Sequence, residues 1–114
     1  MTASAARSIT ETNSSSIYAD TDEEFTIEQA LMAVMLQSAN EMTLAVAELT
    51  SGSTKKFVEQ MNLKARQLGC TNTHFNNPNG LPDEIHYTTA SDMAKIARAA
   101  WFNPPSANCI HAVL

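Results

Sequence analysis

Little in this sequence is basic, and what there is lies scattered. Of its 114 residues only seven carry positive charge, as Arg7, Lys55, Lys56, Lys64, Arg66, Lys95 and Arg98. They form no stripe, which argues against nucleic-acid binding. Long apolar runs are lacking too: the longest, residues 30–36, falls far short of the roughly 20 residues needed to cross a bilayer. The opening MTASAARSIT has neither a basic start nor an apolar stretch of about 7 to 15 residues, so it does not read as a secretory signal. Taken literally, the text stays in the cytoplasm. There are two cysteines, Cys70 and Cys109, without metal-ligand spacing. They are read as free thiols, with a single long-range disulfide as the alternative. No internal repeat and no sustained heptad is found.

What is present suits one small domain, or part of one. The hydrophobic content is 44%, the formal charge −5 and the pI about 5.0. That balance favours a compact core over a disordered tail.

Residues 1–25 are rich in Ser, Thr and Ala and end in the acidic run Asp20-Thr21-Asp22-Glu23-Glu24. With no sustained period, they are expected to be loop with one short strand near Ser16-Ile17-Tyr18. Helix signals begin at Thr26, an N-cap with Gln29 placed to close a capping box. Ile27, Leu31, Val34 and Met35 then share a face. The pattern breaks at Gln37-Ser38-Ala39-Asn40 and resumes with Leu44, Ala47 and Glu48 until Ser51-Gly52, where glycine suits a helix end. Two helices with a polar joint are predicted. Ser53 can cap a third, whose Phe57, Met61, Ala65 and Leu68 recur at helical spacing until Gly69.

From 70 to 87 the text TNTHFNNPNGLPDEIHY is dominated by Asn, Pro and Gly, which reads as a long, turn-filled loop. Structureless loops of about 12 to 15 residues or more are uncommon in compact domains and are often functional. Thr89 caps a fourth helix with Asp92 three residues on, and Met93, Ile96, Ala97, Ala100 and Trp101 form its apolar stripe. Asn103-Pro104-Pro105 ends it.

The triplet Ser38-Ala39-Asn40 sets a hydroxyl and a carboxamide side by side, able to relay a proton and to orient a substrate amide. The competing reading is that Ser38 and Asn40 simply cap the following helix, a position both residue types favour. Asn76 to Leu81 are read as shaping the loop, and Asp83 and Glu84 as a solvated pair. His74, His86 and His111, separated by 12 and 25 residues, fit no zinc spacing.

The order of apolar helix, SAN, Ala-rich helix, Gly, helix with MN, LG, THF, NPNGLP, HYTTASDMA and NP recurs as a whole. Through FTIEQALMAVMLQSANEMTLAVAELTSGSTKKFVEQMNLKARQLG and TNTHFNNPNGLPDEIHYTTASDMAKIARAAWFNP, the chain resembles the serine-type D-alanyl-D-alanine carboxypeptidases, the low-molecular-mass penicillin-binding proteins. The match is continuous over residues 25–104, and SITETNSSSIYADTDEEFT resembles the preceding stretch more loosely. Departures are mild: Glu41-Met42 stand where the family has an acidic residue or a close relative and then alanine, which bears on packing.

The resemblance implies a mainly α fragment, about four helices plus a long ordered loop, of the α/β penicillin-binding-protein/β-lactamase-like fold. That fold is a five-stranded antiparallel sheet flanked by helices. Residues 1–25 would lead into a helical lobe at 26–105, and 106–114 would be an unmatched tail. The implied chemistry is acyl transfer at the terminal peptide bond of a peptidoglycan stem peptide ending in D-Ala-D-Ala, through an acyl-enzyme that water releases. Of the ordered elements S-x-x-K, S-x-N and K-T-G, only the second is in place. Ser38 would pass a proton toward the leaving amine. Asn40 would bind the substrate amide carbonyl and help hold the lysine. The nucleophile and lysine base would lie before residue 1 and K-T-G beyond residue 105.

A formal S-x-x-K, Ser53-Thr54-Lys55-Lys56, comes after SAN and opens an amphipathic helix, where a central catalytic helix would be buried nearly all round. It is read as a helix start. A second SAN at 106–108 lies where the match has ended and is read as coincidence.

The resemblance implies no metal and no cofactor, β-lactams as ligands of the full-length parent, and a place outside the cytoplasm. This stretch alone, lacking the nucleophile, is expected to be an inactive part of a hydrolase. Two other readings stay open: a non-catalytic helical module gripping a peptide or glycan with the 70–87 loop, and a gene remnant.

Overall fold

A computed structural model gives the fold of residues 1–12 and 14–106, with residues 8–12 described by their backbone only. Among the described residues five helices are named in order: α1 (Ala3–Thr12), α2 (Ile27–Gln37), α3 (Asn40–Ser51), α4 (Thr54–Gln67) and α5 (Ala90–Trp101). Among the described residues there is no extended strand, only an isolated antiparallel bridge between His74 and Tyr87.

The four helices read from local signals are all present. Thr26 closes its capping box: its Oγ1 accepts from the Gln29 N–H at 3.1 Å, while Gln29 Oε1 accepts from the Thr26 N–H at 2.9 Å. Ser53 and Thr89 accept from the N–H groups of Lys56 and Asp92, so each satisfies a donor the first helical turn cannot. Gly52 ends α3 with φ +84°, where a side chain would be strained.

The first 25 residues correct the expectation of loop and strand. Ala3–Thr12 is helical because Thr2 caps it, its Oγ1 accepting from the Ala5 N–H at 3.2 Å, and because α1 packs on α3 with Ala5 fully buried. The hydroxyls of Thr2 and Ser4 both donate to the Glu48 carboxylate, at 2.6 and 2.7 Å. Alanine supplies helix propensity but no large apolar period to read, so a tertiary contact decides. The segment near Ser16 is no strand, because Tyr18 sits at φ 58°, outside the extended region, and its N–H turns back onto Ser16 Oγ.

α3 is the centre of the lobe, packed against α1, α2 and α4. The core is built of small residues: Ala19, Ala30 and Ala39 surround Met42, whose burial is worth about 1.5 to 3 kcal/mol. Ile17, Phe25, Val34 and Val46 close over this cluster. Ala65 is the buried member of the α4 stripe, while Lys55, Lys56, Glu59, Lys64 and Arg66 face water as read. Several expected inward residues differ: Ile27, at 60% exposed, and Met35 on α2, and Met93, Ala97 and Trp101 on α5, are exposed, because Ala30 and Asp92 take the buried positions of those helices.

Residues 70–87 form the shaped loop that joins α4 to α5. It is tied down from the helices: Asn62 clamps the Phe75 backbone, with Nδ2 donating to its carbonyl at 2.9 Å and Oδ1 accepting from its N–H at 2.8 Å. Ser106 is the last described residue, so Cys109, His111 and the rest of the tail lie outside the description. Cys70 is a free, buried thiol.

Candidate functional site

α2 and α3 are separated by Ser38 and Ala39 alone. Ser38 has φ 52° and ψ 40°, and the N–H groups of Ser38 and Ala39 both fold back onto the Ala33 carbonyl. This is a left-handed helix end, at a position that usually holds glycine. A residue with a Cβ there costs roughly 1 to 2 kcal/mol. The serine is exposed, and its hydroxyl makes no hydrogen bond to the described residues.

Ala39 is fully buried and occupies the N-cap of α3, which therefore has no side-chain cap. The capping role considered for Ser38 and Asn40 is not what the structure shows. The end of α3 is closed instead from 25 residues away: the Ser15 carbonyl accepts from the Asn40 N–H at 3.1 Å and from Asn40 Nδ2 at 2.9 Å. Nδ2 also approaches the Ser38 carbonyl at 3.3 Å. Both amide hydrogens of Asn40 are thus directed at backbone carbonyls. Oδ1, with no partner among the described residues, is left as the acceptor. Asn40 is 8% exposed, so this carboxamide is an edge feature rather than a surface one.

Next to it, Glu41 is wholly buried, its carboxylate accepting from Ser16 Oγ and, at 3.2 Å, from the Ile17 N–H. Sequence reasoning had treated Glu41 only as a departure in packing.

The second polar centre lies at the loop base. Asp92, 2% exposed, accepts from the Asn72 N–H at 2.9 Å and from Thr73 Oγ1 at 2.7 Å, with Lys95 Nζ 3.8 Å away. The Thr73 hydroxyl holds its carboxyl below the ordinary aspartate value; the Asn72 N–H and Lys95 act in the same direction, and burial opposes them. Thr89 caps only the Asp92 N–H, and the Asp92 carboxylate is a loop anchor rather than part of the cap. Asn77 shapes the NPNGLP turn, accepting from the Gly80 N–H at 2.6 Å and donating to the Leu81 carbonyl at 2.9 Å. His74 pairs through Nδ1 with the Ile85 carbonyl, and His86 Nδ1 accepts from the Asn76 N–H at 2.9 Å. Both histidines thus hold loop backbone. Among the described residues no three His, Cys, Asp or Glu side chains converge as metal ligands. No helix there is long and apolar enough to cross a membrane.

Three clefts of about 400, 340 and 470 Å³ lie over α2–α3, over α4–α5 and beside the loop. Ser38 and Asn40 line none of these. The SAN edge is open, with the Ser38 hydroxyl and Asn40 Oδ1 unengaged, and it can act only on something brought against it.

A family profile described as D-alanyl-D-alanine carboxypeptidase matches residues 1–110. The chain is 44% identical over 84 residues to D-alanyl-D-alanine carboxypeptidase DacF of Bacillus subtilis, covering 74% of this chain and 22% of that protein. Among solved structures it resembles the D-alanyl-D-alanine carboxypeptidase DacD of Francisella tularensis, with TM-score 0.83 and 36% identity over 92% of this chain and 25% of that one. It also resembles a serine-to-alanine mutant of the streptomyces K15 DD-transpeptidase, with TM-score 0.86 and 26% identity over 91% of this chain and 42% of that one. The chain spans about a fifth of the length of the curated relatives it matches first. On the profile match and these likenesses together, the chain belongs to the D-alanyl-D-alanine carboxypeptidase family.

Proposed function

We propose that this chain is the SAN-bearing helical lobe of a serine-type D-Ala-D-Ala carboxypeptidase. The complete enzyme trims peptidoglycan stem peptides outside the cytoplasm by acyl-enzyme hydrolysis and is acylated by β-lactams. Ser38 passes a proton toward the leaving amine. Asn40 presents Oδ1 to the lysine that serves the nucleophile. The donor role toward the substrate carbonyl falls to Nδ2 only if it gives up its weaker bond, the 3.3 Å contact to Ser38.

The observation that carries this reading is the choice of serine at a left-handed position. Glycine would fit the α2 terminus with less strain, and the hydroxyl caps nothing there. Strain retained at a helix junction is the kind of outlier found at functional sites, and an unengaged hydroxyl beside a carboxamide is a group that a proton relay can use. Ser53 does not compete for the nucleophile's role, because its Oγ is used as the N-cap of α4. The 114 residues contain no K-T-G and no other S-x-x-K, so by themselves they are proposed to be inactive.

The test begins with the coding DNA read through both ends of the frame. An in-frame S-x-x-K upstream and K-T-G downstream are expected. The extended protein should be labelled by a fluorescent penicillin while the 114-residue chain is not, and Ser38→Ala should slow labelling by about 10²-fold. Stop codons flanking the frame, or labelling indifferent to Ser38→Ala, would overturn the reading.

A further inference from the structure

The Asn40 carboxamide has two orientations that exchange its oxygen and its nitrogen, differing by a half-turn of one torsion. Only one leaves Oδ1 unengaged at the SAN edge. What selects it is the Ser15 carbonyl, 2.9 Å from Nδ2, because an oxygen turned toward that carbonyl would meet another acceptor. The Ser38 carbonyl, at 3.3 Å, is the weaker of the two guides. The orientation of Asn40 therefore depends on where residues 14–18 place one backbone oxygen.

That segment has no strand pairing to hold it. Beside the Asn40 N–H bond to the Ser15 carbonyl at 3.1 Å and the packing of Ile17 and Ala19 in the core, the two residues directly after Ser15 both end on the same carboxylate: the Ser16 hydroxyl donates to one oxygen of Glu41, and the Ile17 N–H to the other at 3.2 Å. The Ser16 oxygen in turn accepts from the Tyr18 N–H at 2.6 Å, which stabilises the left-handed turn at Tyr18. Glu41 is fully buried, and no Lys, Arg or His pairs with it among the described residues. A carboxylate in such a place is costly unless its hydrogen bonds are made, and a hydrocarbon of similar volume would pack the same helix face at less cost. The position is explained by what the two oxygens hold.

We infer that Glu41 is a positioning residue, which fixes residues 15–17 against α3 so that the Ser15 carbonyl orients the Asn40 carboxamide with Oδ1 toward the SAN edge. The consequence for acyl transfer rests on the function proposed above; the positioning itself does not, and can be read in this chain without any activity.

The experiment is hydrogen exchange of asparagine side-chain amides by NMR on the ¹⁵N-labelled 114-residue chain. Asn62 is an internal control, because its Nδ2 is held by the Phe75 carbonyl at 2.9 Å in a different part of the lobe. In Glu41→Gln, which keeps the volume but has one acceptor oxygen in place of two, the Asn40 side-chain amide should exchange faster by about tenfold, the scale of one lost hydrogen bond. The Asn62 amide should stay within about twofold of its original rate. If Asn40 keeps its protection, the inference is wrong. If both amides lose protection together, Glu41 serves only general stability, and the inference is equally wrong. Should Glu41→Gln fail to fold, Ser16→Ala removes one of the two donors without burying a new polar group. It should accelerate Asn40 alone by a smaller factor, and unchanged Asn40 exchange there would also overturn it. Penicillin labelling of the extended protein is a separate measurement, so the failure of either reading is distinguishable from failure of the other.

Discussion

The hydroxyl of Thr73 donates to the carboxylate of Asp92 across 2.7 Å, tying the start of the long loop to the first turn of α5. Asn72 adds its backbone N–H to the same oxygen, and Lys95 spans from this carboxylate to the Gly69 carbonyl at 2.9 Å. Asp92→Asn can keep one oxygen for the Asn72 and Thr73 donors, but without its charge, and turns an N–H toward Lys95. It should lower the thermal midpoint and raise amide exchange at Asn72 ahead of the helices. The pH dependence follows from a carboxyl held below its ordinary value, first by Thr73. Its stabilising contribution is complete above the ordinary aspartate range near pH 4 and is lost as pH falls through the lower folded-state value. Urea midpoints measured against pH should therefore drop on the acid side, and less steeply in Asp92→Asn. Lys95 is about half exposed, so added salt should weaken only its share.

Asn62 makes a two-point clamp on the Phe75 backbone, and its removal should leave a half-buried donor and acceptor unpaired. Asn62→Ala is expected to cost about 1 to 3 kcal/mol in urea unfolding. Asn62→Asp should recover the bond from the Phe75 N–H but not the one to its carbonyl, and so fall between. Equal losses for both variants would mean that packing, not the clamp, is what Asn62 contributes.

How much of this was readable in advance follows sequence distance. Thr26, Ser53, Thr89 and Gly52 act within one turn of themselves, so four helix boundaries could be read from residue type alone. α1 was missed although Thr2 caps it locally, since its residues show no apolar period and its packing answers to Glu48, more than forty residues away. The SAN triplet stood out by its order among other motifs, but its geometry did not. The carbonyl that closes α3 belongs to Ser15, and no local rule points to it. Asp92 was misread for the same reason: its N–H obeys the capping rule, while its carboxylate answers to residues about twenty positions earlier.

Ser38 offers a test of function against stability. At φ 52° a serine is strained, so Ser38→Gly should raise stability by about 0.5 to 1 kcal/mol after allowing for the looser unfolded chain. Ser38→Val, with a branched Cβ in the same conformation, should lose more than about 1 kcal/mol. Denaturant midpoints of the three proteins should therefore order as Gly above Ser above Val. A glycine variant no more stable than the parent would remove the argument that strain is retained here for the hydroxyl.

The surface over α2 and α3 exposes apolar side chains. Single exposed apolar side chains are ordinary, but Ile27, 60% exposed, and Leu49, 71% exposed, line one cleft of about 400 Å³ together with Phe25, Ala30, Met42 and Val46. The cleft reaches the Met42 core directly, and a contiguous apolar surface of this kind recruits hydrophobic dyes or a second surface. The folded chain should bind ANS while keeping a cooperative unfolding transition. Replacing both residues, Ile27→Lys with Leu49→Lys, should reduce the fluorescence by about half or more. Each position is solvent-facing, so stability should shift within roughly 0.5 kcal/mol per site. Dye binding that persists in the double variant, alongside a non-cooperative melt, would place the exposed surface in loose packing throughout the lobe rather than at this cleft.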